Sequence, residues 1–373
     1  MSERELYLDY VASTPLCRES RDAMLYVMDY VYANPSATHL FGRRSNVLIE
    51  QERRNIAALL HCSAHNLVFT SGATETINAG IRSICRTYKP QVILTSKLEH
   101  PATLRTVENL SSSVPIIYIR HTDKGDIDLS DLDAQLRSYP SSLLCLMHAN
   151  NEIGTVLPLQ EVGLLCKKHR SLFFCDMVQS IGKYDLNLGE LPVDFAVGSA
   201  HKFYGPKASG LLYFSRKTAP LLYGGSQERN MRAGTENVYG ICGMGKALTC
   251  NMDNLQRIQS HIGGIKSCCV DQLMMNFDRI CFVGNCRNEG LYNLLNFYFP
   301  DTDMDIVRME LDIAGIAVST ASSCSSGSDR QSHVLSALGI ESKSLRVSFG
   351  TDTSTDDIDY FIRTLSEIKR KMK

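Results

Sequence analysis

A largely parallel α/β sheet with crossover helices is the fold class this chain predicts, and three observations predict it. Short apolar runs near residues 67 to 70, 91 to 95, 143 to 147, 172 to 175, 193 to 197 and 210 to 214 alternate with segments of helical character, the pattern of strands joined by helices. Runs such as Val193 to Val197 lack polar alternation, as strands covered on both faces do. The chemically capable residues fall just after these runs, at strand carboxyl ends, where open α/β sheets bind ligands. A long helical stretch near 251 to 278, including Met252 to His261, then leads out of this region. Strands near 279 to 283, 291 to 298, 315 to 319 and 344 to 349 suggest a smaller α+β unit. We therefore expect a large domain over 16–250 and a small one from 1–15 with 251–373.

Each of three runs delivers a candidate group. Leu67 to Thr70 leads into Ser71-Gly72-Ala73-Thr74-Glu75, after which the pattern turns helical. Backbone amides at a helix start bind an anion without a cationic side chain, Gly72 and Ala73 permit close approach, and the Thr74 hydroxyl adds a donor. Taken alone, the segment reads equally as a plain Ser/Thr-capped helix. Leu172 to Cys175 ends in Asp176-Met177-Val178-Gln179-Ser180. Asp176 is either a helix N-cap or the carboxylate that pyridoxal phosphate needs against its pyridinium nitrogen, with Gln179 in reach of the phenolic oxygen. Val193 to Val197 is followed by Gly198-Ser199-Ala200-His201-Lys202-Phe203-Tyr204. Burial lowers a lysine pKa from about 10.4 and frees a neutral amine that can hold an aldehyde cofactor as a Schiff base. Lys202 by itself could be an ordinary loop lysine; the combination with Asp176 and the anion cradle discriminates.

Further motifs follow in order along nearly the whole chain. They are Tyr7-Leu8-Asp9-Tyr10 with Thr14-Pro15, Asn34-Pro35-Ser36, His39 with Gly42-Arg43, and Glu99-His100-Pro101. Asn150-Asn151-Glu152-Ile153-Gly154, Gln227-Glu228-Arg229 with Arg232 and Gly234-Thr235, Cys324 and Arg346 complete the set. In these residues the chain resembles the cysteine desulfurases, within the class V aminotransferase group of fold-type I pyridoxal 5'-phosphate enzymes. The resemblance implies a large domain with a mainly parallel seven-stranded sheet plus a smaller α+β domain. It implies that Lys202 is the Schiff-base lysine, Asp176 the pyridinium partner and Gln179 the contact to the phenolic oxygen. His100 would lie over the ring face, stacking and shuttling protons as a group that titrates near neutral pH; capping the next helix is its alternative. Gly72, Ala73, Thr74, Ser199 and His201 would cradle the phosphate, with Thr235 reaching it from the partner subunit of a homodimer. Asn34, Asn151 and Arg346 would bind the substrate, L-cysteine. The guanidinium of Arg346 makes two parallel bonds to a carboxylate, which a lysine cannot; a surface salt bridge is the alternative.

Cys324 decides between a desulfurase and an aminotransferase. It lies in Ser319-Thr320-Ala321-Ser322-Ser323-Cys324-Ser325-Ser326-Gly327-Ser328, a stretch without helical or strand period whose composition describes a mobile loop. The resemblance implies that its thiol takes the sulfur of cysteine as a persulfide and delivers it to a sulfur-acceptor protein. The nine or so residues to His333 span at most about 30 Å extended. Cys145 and Cys175, by contrast, lie in apolar runs and read as core residues. The chain departs from the family where Ala321-Ser322-Ser323-Cys324 replaces Gly-Ser-Ala-Cys and Ser328-Asp329-Arg330-Gln331 replaces Ser-Leu-Glu-Pro. Ala208 and Asn230 stand where the family has glycine, which matters wherever the backbone needs a positive φ.

Composition bounds the rest. With 373 residues, 44% hydrophobic, and a formal net charge of -1, the chain can bury a large core and has no electrostatic affinity for nucleic acid or membrane. Its charged N-terminus, its lack of an apolar stretch approaching eighteen residues and its thirteen irregularly spaced cysteines suggest a reducing compartment, most simply the cytoplasm. No Cys/His group has zinc-finger spacing, so no metal is expected. The expected activity is conversion of L-cysteine to L-alanine with sulfur passed on for iron-sulfur clusters or thio-modification. A selenocysteine lyase or transaminase of the same fold, and a non-catalytic sulfur-transfer scaffold, are the alternatives.

Overall fold

The larger sheet of the computed structural model, which describes residues 4–320 and 331–372, has seven strands. Their order is Leu67–Thr70, Gly210–Phe214, Phe195–Ser199, Leu172–Asp176, Leu143–Met147, Ile93–Thr95 and Ile116–Tyr118. The last five pair in parallel, and Gly210–Phe214 runs antiparallel to both its neighbours. Six of the seven were expected from their apolar runs. The edge strand Ile116–Tyr118 was not: it is only three residues long and incompletely buried, although Ile116, Ile117, Tyr118 and Ile119 do form a short apolar run.

Alternate residues of the central strands feed two separate cores. Phe173, Cys175, Leu144, Leu146 and Ala196 belong to one; Leu172, Phe174, Leu143, Cys145 and Val197 belong to the other. Both faces are thus covered by helices, which is why these strands read as unbroken hydrophobic runs. Cys145 and Cys175 are fully buried, as their apolar flanks predict.

A second sheet, antiparallel, orders Ser319–Thr320, Leu345–Ser348, Leu294–Tyr298 and Cys281–Phe282. Helices Leu255–Asn276, Met304–Ile313 and Thr355–Lys371 close over it around Phe297, Phe299, Val347 and Phe361. Near the N-terminus, Leu6–Tyr7 pairs in parallel with Ile316–Ala317. The chain then crosses to the large sheet, where Thr14 N–H donates to His201 O and Cys17 N–H to Tyr204 O.

Both positions where family glycines are replaced have left-handed backbone, with φ of 55° at Ala208 and 66° at Asn230. Asn230 ends a run in which Glu228 (φ 47°) and Arg229 (φ 57°) are also left-handed. Such residues cost of order 1–3 kcal/mol each and persist where surroundings over-determine them. Here Arg53 grips Glu228 through two bonds of 2.7 Å, and the Phe69 amide donates to the same carboxylate.

Candidate active site

A cavity of about 530 Å³ opens at the carboxyl ends of the large sheet. On one side the strand Leu67–Thr70 ends at Ser71, and the helix Ala73–Tyr88 begins with Gly72 as N-cap and no side chain capping it. Gly72 has φ 144°, and a Cβ there would meet nothing within 4 Å. Conversely, a Cβ on Gly210 would meet Gly72 Cα at 2.6 Å, so this turn rests directly on the neighbouring strand. First-turn amides without a capping side chain beside open space form an anion site. Gly72, Ala73 and Thr74 line the cavity there, and Ser199 and His201 line the same cavity.

Asp176 ends the strand Leu172–Asp176 and is 7% exposed. Its Oδ1 accepts the Val178 amide at 3.0 Å. Burial outweighs this bond and the nearby charge of Lys202, and pushes the carboxyl up to about 6. The local turn resembles a cap, yet Asp176 also lines the cavity as a carboxylate short of a counter-cation.

Lys202 ends the short turn Ala200–Lys202 that follows Phe195–Ser199. Its Nζ donates to Val11 O at 2.8 Å and to Ala12 O at 2.7 Å, carbonyls of the N-terminal strap. Val11 O also accepts from Gln179 Nε2 at 3.1 Å, and Gln179 Oε1 accepts from Lys183 Nζ at 2.6 Å. Sequence reasoning assigned Lys183 nothing. It is 5% exposed, and burial, with the charge of Lys202, lowers it to about 7. The apolar Ile181-Gly182 before it was the available clue, because a lysine in such company is buried.

His100 is both a cap and a wall residue. Its Nδ1 accepts the Ala102 amide at 3.1 Å at the start of Pro101–Leu110, and the ring faces the cavity. Titration near neutrality was expected; instead burial, then the charges of Lys202 and His333, lower it to about 4. With Nδ1 accepting, the neutral ring carries its hydrogen on Nε2. The preceding Glu99 is buried with one carboxylate oxygen unpartnered; burial, and the charge of Asp176, hold it well above the ordinary carboxylate range.

Arg346 is 1% exposed, so it is no surface ion pair. Nη2 donates to Asp9 Oδ1 at 3.0 Å and Nη1 to Asn151 O at 3.1 Å, leaving Nε buried without a partner. Asn150 holds the Asn151 turn by accepting the Glu152 and Ile153 amides. Asn151 and Arg346 line the same cavity as Lys202, His100 and Asp176. Two expected residues are not brought there by this chain. Asn34 and Thr235 instead share a separate recess with Tyr32, Pro35 and Tyr239. Cys324 lies outside the described residues.

The residues gathered here can receive an anion at the Gly72 helix start and a cationic atom at Asp176, supply an amine at Lys202, and grip a carboxylate at Arg346. Comparison with known proteins agrees. The family model of the class-V aminotransferases matches residues 6–361. "Cysteine desulfurase IscS" of Dictyoglomus turgidum is 37% identical over 380 residues, covering 100% of this chain and 96% of its own. A solved NifS-like protein superposes with TM-score 0.92 at 31% identity, covering 99% of this chain and 100% of its own. A structure described as SspA in complex with cysteine superposes with TM-score 0.79 at 28% identity, covering 92% and 99%. The chain belongs to the class-V aminotransferases and, within them, to the cysteine desulfurase family.

Proposed function

We propose that the chain is a pyridoxal-phosphate-dependent cysteine desulfurase that converts L-cysteine to L-alanine and leaves the sulfur as a persulfide on Cys324. One observation carries the reading: Lys202, Asp176 and the uncapped helix start at Gly72 share one cavity with Arg346. The donor set fits the cofactor, since the open cradle at Gly72 suits its phosphate and the raised Asp176 carboxyl is relieved by a pyridinium cation. Bound there, pyridoxal phosphate supplies the electron sink for bond breaking in the amino acid.

The chain's own groups do the rest. Lys202 provides the amine that attaches the cofactor, directed by the carbonyls of Val11 and Ala12. Gln179, held by Lys183, presents its amide beside the same strap. His100, neutral with its hydrogen on Nε2, lines the cavity and would offer that N–H to a ring bound there. Arg346 and Asn151 orient the substrate carboxylate, the free Nε–H of Arg346 being an unused donor. Cys324 takes the sulfur: the substrate C–S bond breaks, an S–S bond forms and the substrate carbon gains a proton. That SspA is described with cysteine supports cysteine as the substrate class.

We further propose division into a large domain over 16–250 and a small domain from 1–15 with 251–373, a homodimer, and a cytoplasmic enzyme serving a sulfur-acceptor protein. The exposed Tyr26, Tyr30, Tyr32, Phe41 and Val47 favour a second copy, which would bring a Thr235 to each cavity. No described helix is long and apolar enough to cross a membrane.

Substitution of Cys324 by serine tests the reading. Because its flanks are serine and glycine, folding stability should stay within about 0.5 kcal/mol of the parent, while alanine release collapses and cofactor binding survives. Peptide mass spectrometry after incubation with L-cysteine should find the extra sulfur on Cys324 of the parent. Sulfur on another cysteine, or parental alanine release by the variant, would favour a lyase or transaminase.

A further inference from the structure

Outside the cavity lining, two helices bring together a group that no linear spacing announces. Cys17 immediately precedes the helix Arg18–Tyr30 as its N-cap residue, and its side chain makes no cap bond. Cys250 lies near the end of the helix Val238–Asp253. These helices touch closely: a Cβ on Gly243 would meet the Met24 side chain at 2.8 Å and Ser20 Oγ at 3.0 Å. Cys250 lies two turns beyond Gly243 on the same face, which sets its thiol against the start of the other helix. There Cys17 Sγ, Cys250 Sγ and a Glu19 carboxylate oxygen all lie within 4.8 Å of one another.

We propose that Cys17, Cys250 and Glu19 form a site for a thiophilic divalent cation of the zinc or cadmium class. Two thiols and one carboxylate at this spacing match the mixed sulfur and oxygen ligands of such ions, whereas magnesium and calcium take oxygen ligands. The two thiols are half-buried and Glu19 is exposed, so an ion can enter from solvent and keep water in its fourth position. Binding replaces the two thiol protons, M²⁺ plus two S–H giving two metal–sulfur bonds and two released protons.

The site adjoins the lysine turn. Cys17 N–H donates to Tyr204 O at 3.0 Å, and Asn251 Nδ2, next to Cys250, donates to Phe203 O at 2.7 Å. An ion joining Cys17 to Cys250 therefore clamps the two holders of the turn that follows Lys202, and should raise resistance to thermal unfolding.

The test uses cofactor-loaded protein carrying Cys324→Ser, which removes that thiol as a competing metal ligand. Titration with Cd²⁺ should give a thiolate-to-metal absorbance band at one ion per chain, release two protons and raise the unfolding midpoint. Cys250→Ser and Cys17→Ser should each weaken binding at least tenfold. Glu19→Gln, at an exposed position that folding does not need, should weaken it less while leaving the band. Undiminished binding in Cys250→Ser, or no band at all, overturns the proposal. So does loss of two hydrogens under glutathione disulfide without metal uptake, which would make the pair a redox dithiol instead.

Discussion

On the substrate side of the proposed site, Arg346 is already paired with Asp9, with its Nε–H left over. On the cofactor side, Asp176 has a hydrogen bond from the Val178 amide but its carboxyl is pushed up to about 6. The first is a finished ion pair with a spare donor; the second is a charge deficit that a bound cationic ring would remove. On the proposed reading, substrate would be recognised by groups that are held in place beforehand, whereas the cofactor would contribute a positive charge against Asp176. Neither side is a stability device alone, since buried charges cost solvation that partners only partly return.

The largest expected effect breaks the link between them. Lys202→Ala removes the amine that meets both partners and should abolish turnover together with the visible absorbance of the cofactor-loaded protein. Retention of both would remove Lys202 from the reaction. Next comes Arg346→Lys, which keeps a cation near Asp9 but loses the fork. Charge-assisted bonds contribute about 1.5 to 3 kcal/mol, so kcat/KM for L-cysteine should fall roughly 10- to 100-fold, chiefly through KM. A change confined to kcat would mean that Arg346 does not grip the substrate carboxylate.

The fold and the two sides of the site were unequally legible in the sequence. Asp176, Thr74 and Lys202 could be found because each follows an apolar strand, and strand ends in a parallel sheet converge. The Arg346–Asp9 pair spans 337 residues, and the carbonyls that hold Lys202 lie some 190 residues away from it. No local period encodes such meetings; only resemblance pointed to Arg346, and nothing pointed to Val11 O or Ala12 O. Lys183 was missed because a lysine is seldom fully buried, and that general expectation outweighed the clue of Ile181-Gly182 before it. The neutral His100 was missed because its pKa depends on burial and on Lys202, which a sequence does not print.

The charge deficit at Asp176 makes a prediction about the cofactor-free protein. The carboxyl keeps its proton to higher pH when folded, about 6 against 3.8. Folding is thus favoured below 3.8, and that contribution is lost as pH rises to about 6. The gap corresponds to about 3 kcal/mol. Asp176→Asn keeps an acceptor for the Val178 amide without the charge, so the cofactor-free variant should exceed the parent in stability by up to about 3 kcal/mol at pH 7. The advantage should vanish toward pH 4. Denaturant unfolding of both proteins across that range measures it, and cofactor retention should move the opposite way. A pH-independent difference would mean that Asp176 is ionised without a ring against it.

The smallest effect concerns the cavity lining. Ala208 lines the cavity with φ 55°, a conformation that costs an L-residue with a Cβ roughly 1–2 kcal/mol. Glycine removes that strain but adds about 0.4–1 kcal/mol of unfolded-chain entropy. Ala208→Gly should therefore stabilise the protein by between nothing and about 1.6 kcal/mol, the difference between those two effects. The methyl group makes no hydrogen bond, so KM for L-cysteine should stay at the parental value, in contrast to Arg346→Lys. Urea unfolding midpoints at constant slope read the first expectation and steady-state kinetics the second. A loss of stability would show that the methyl packs usefully against its neighbours, and that the family's glycine here answers to space and not to backbone conformation.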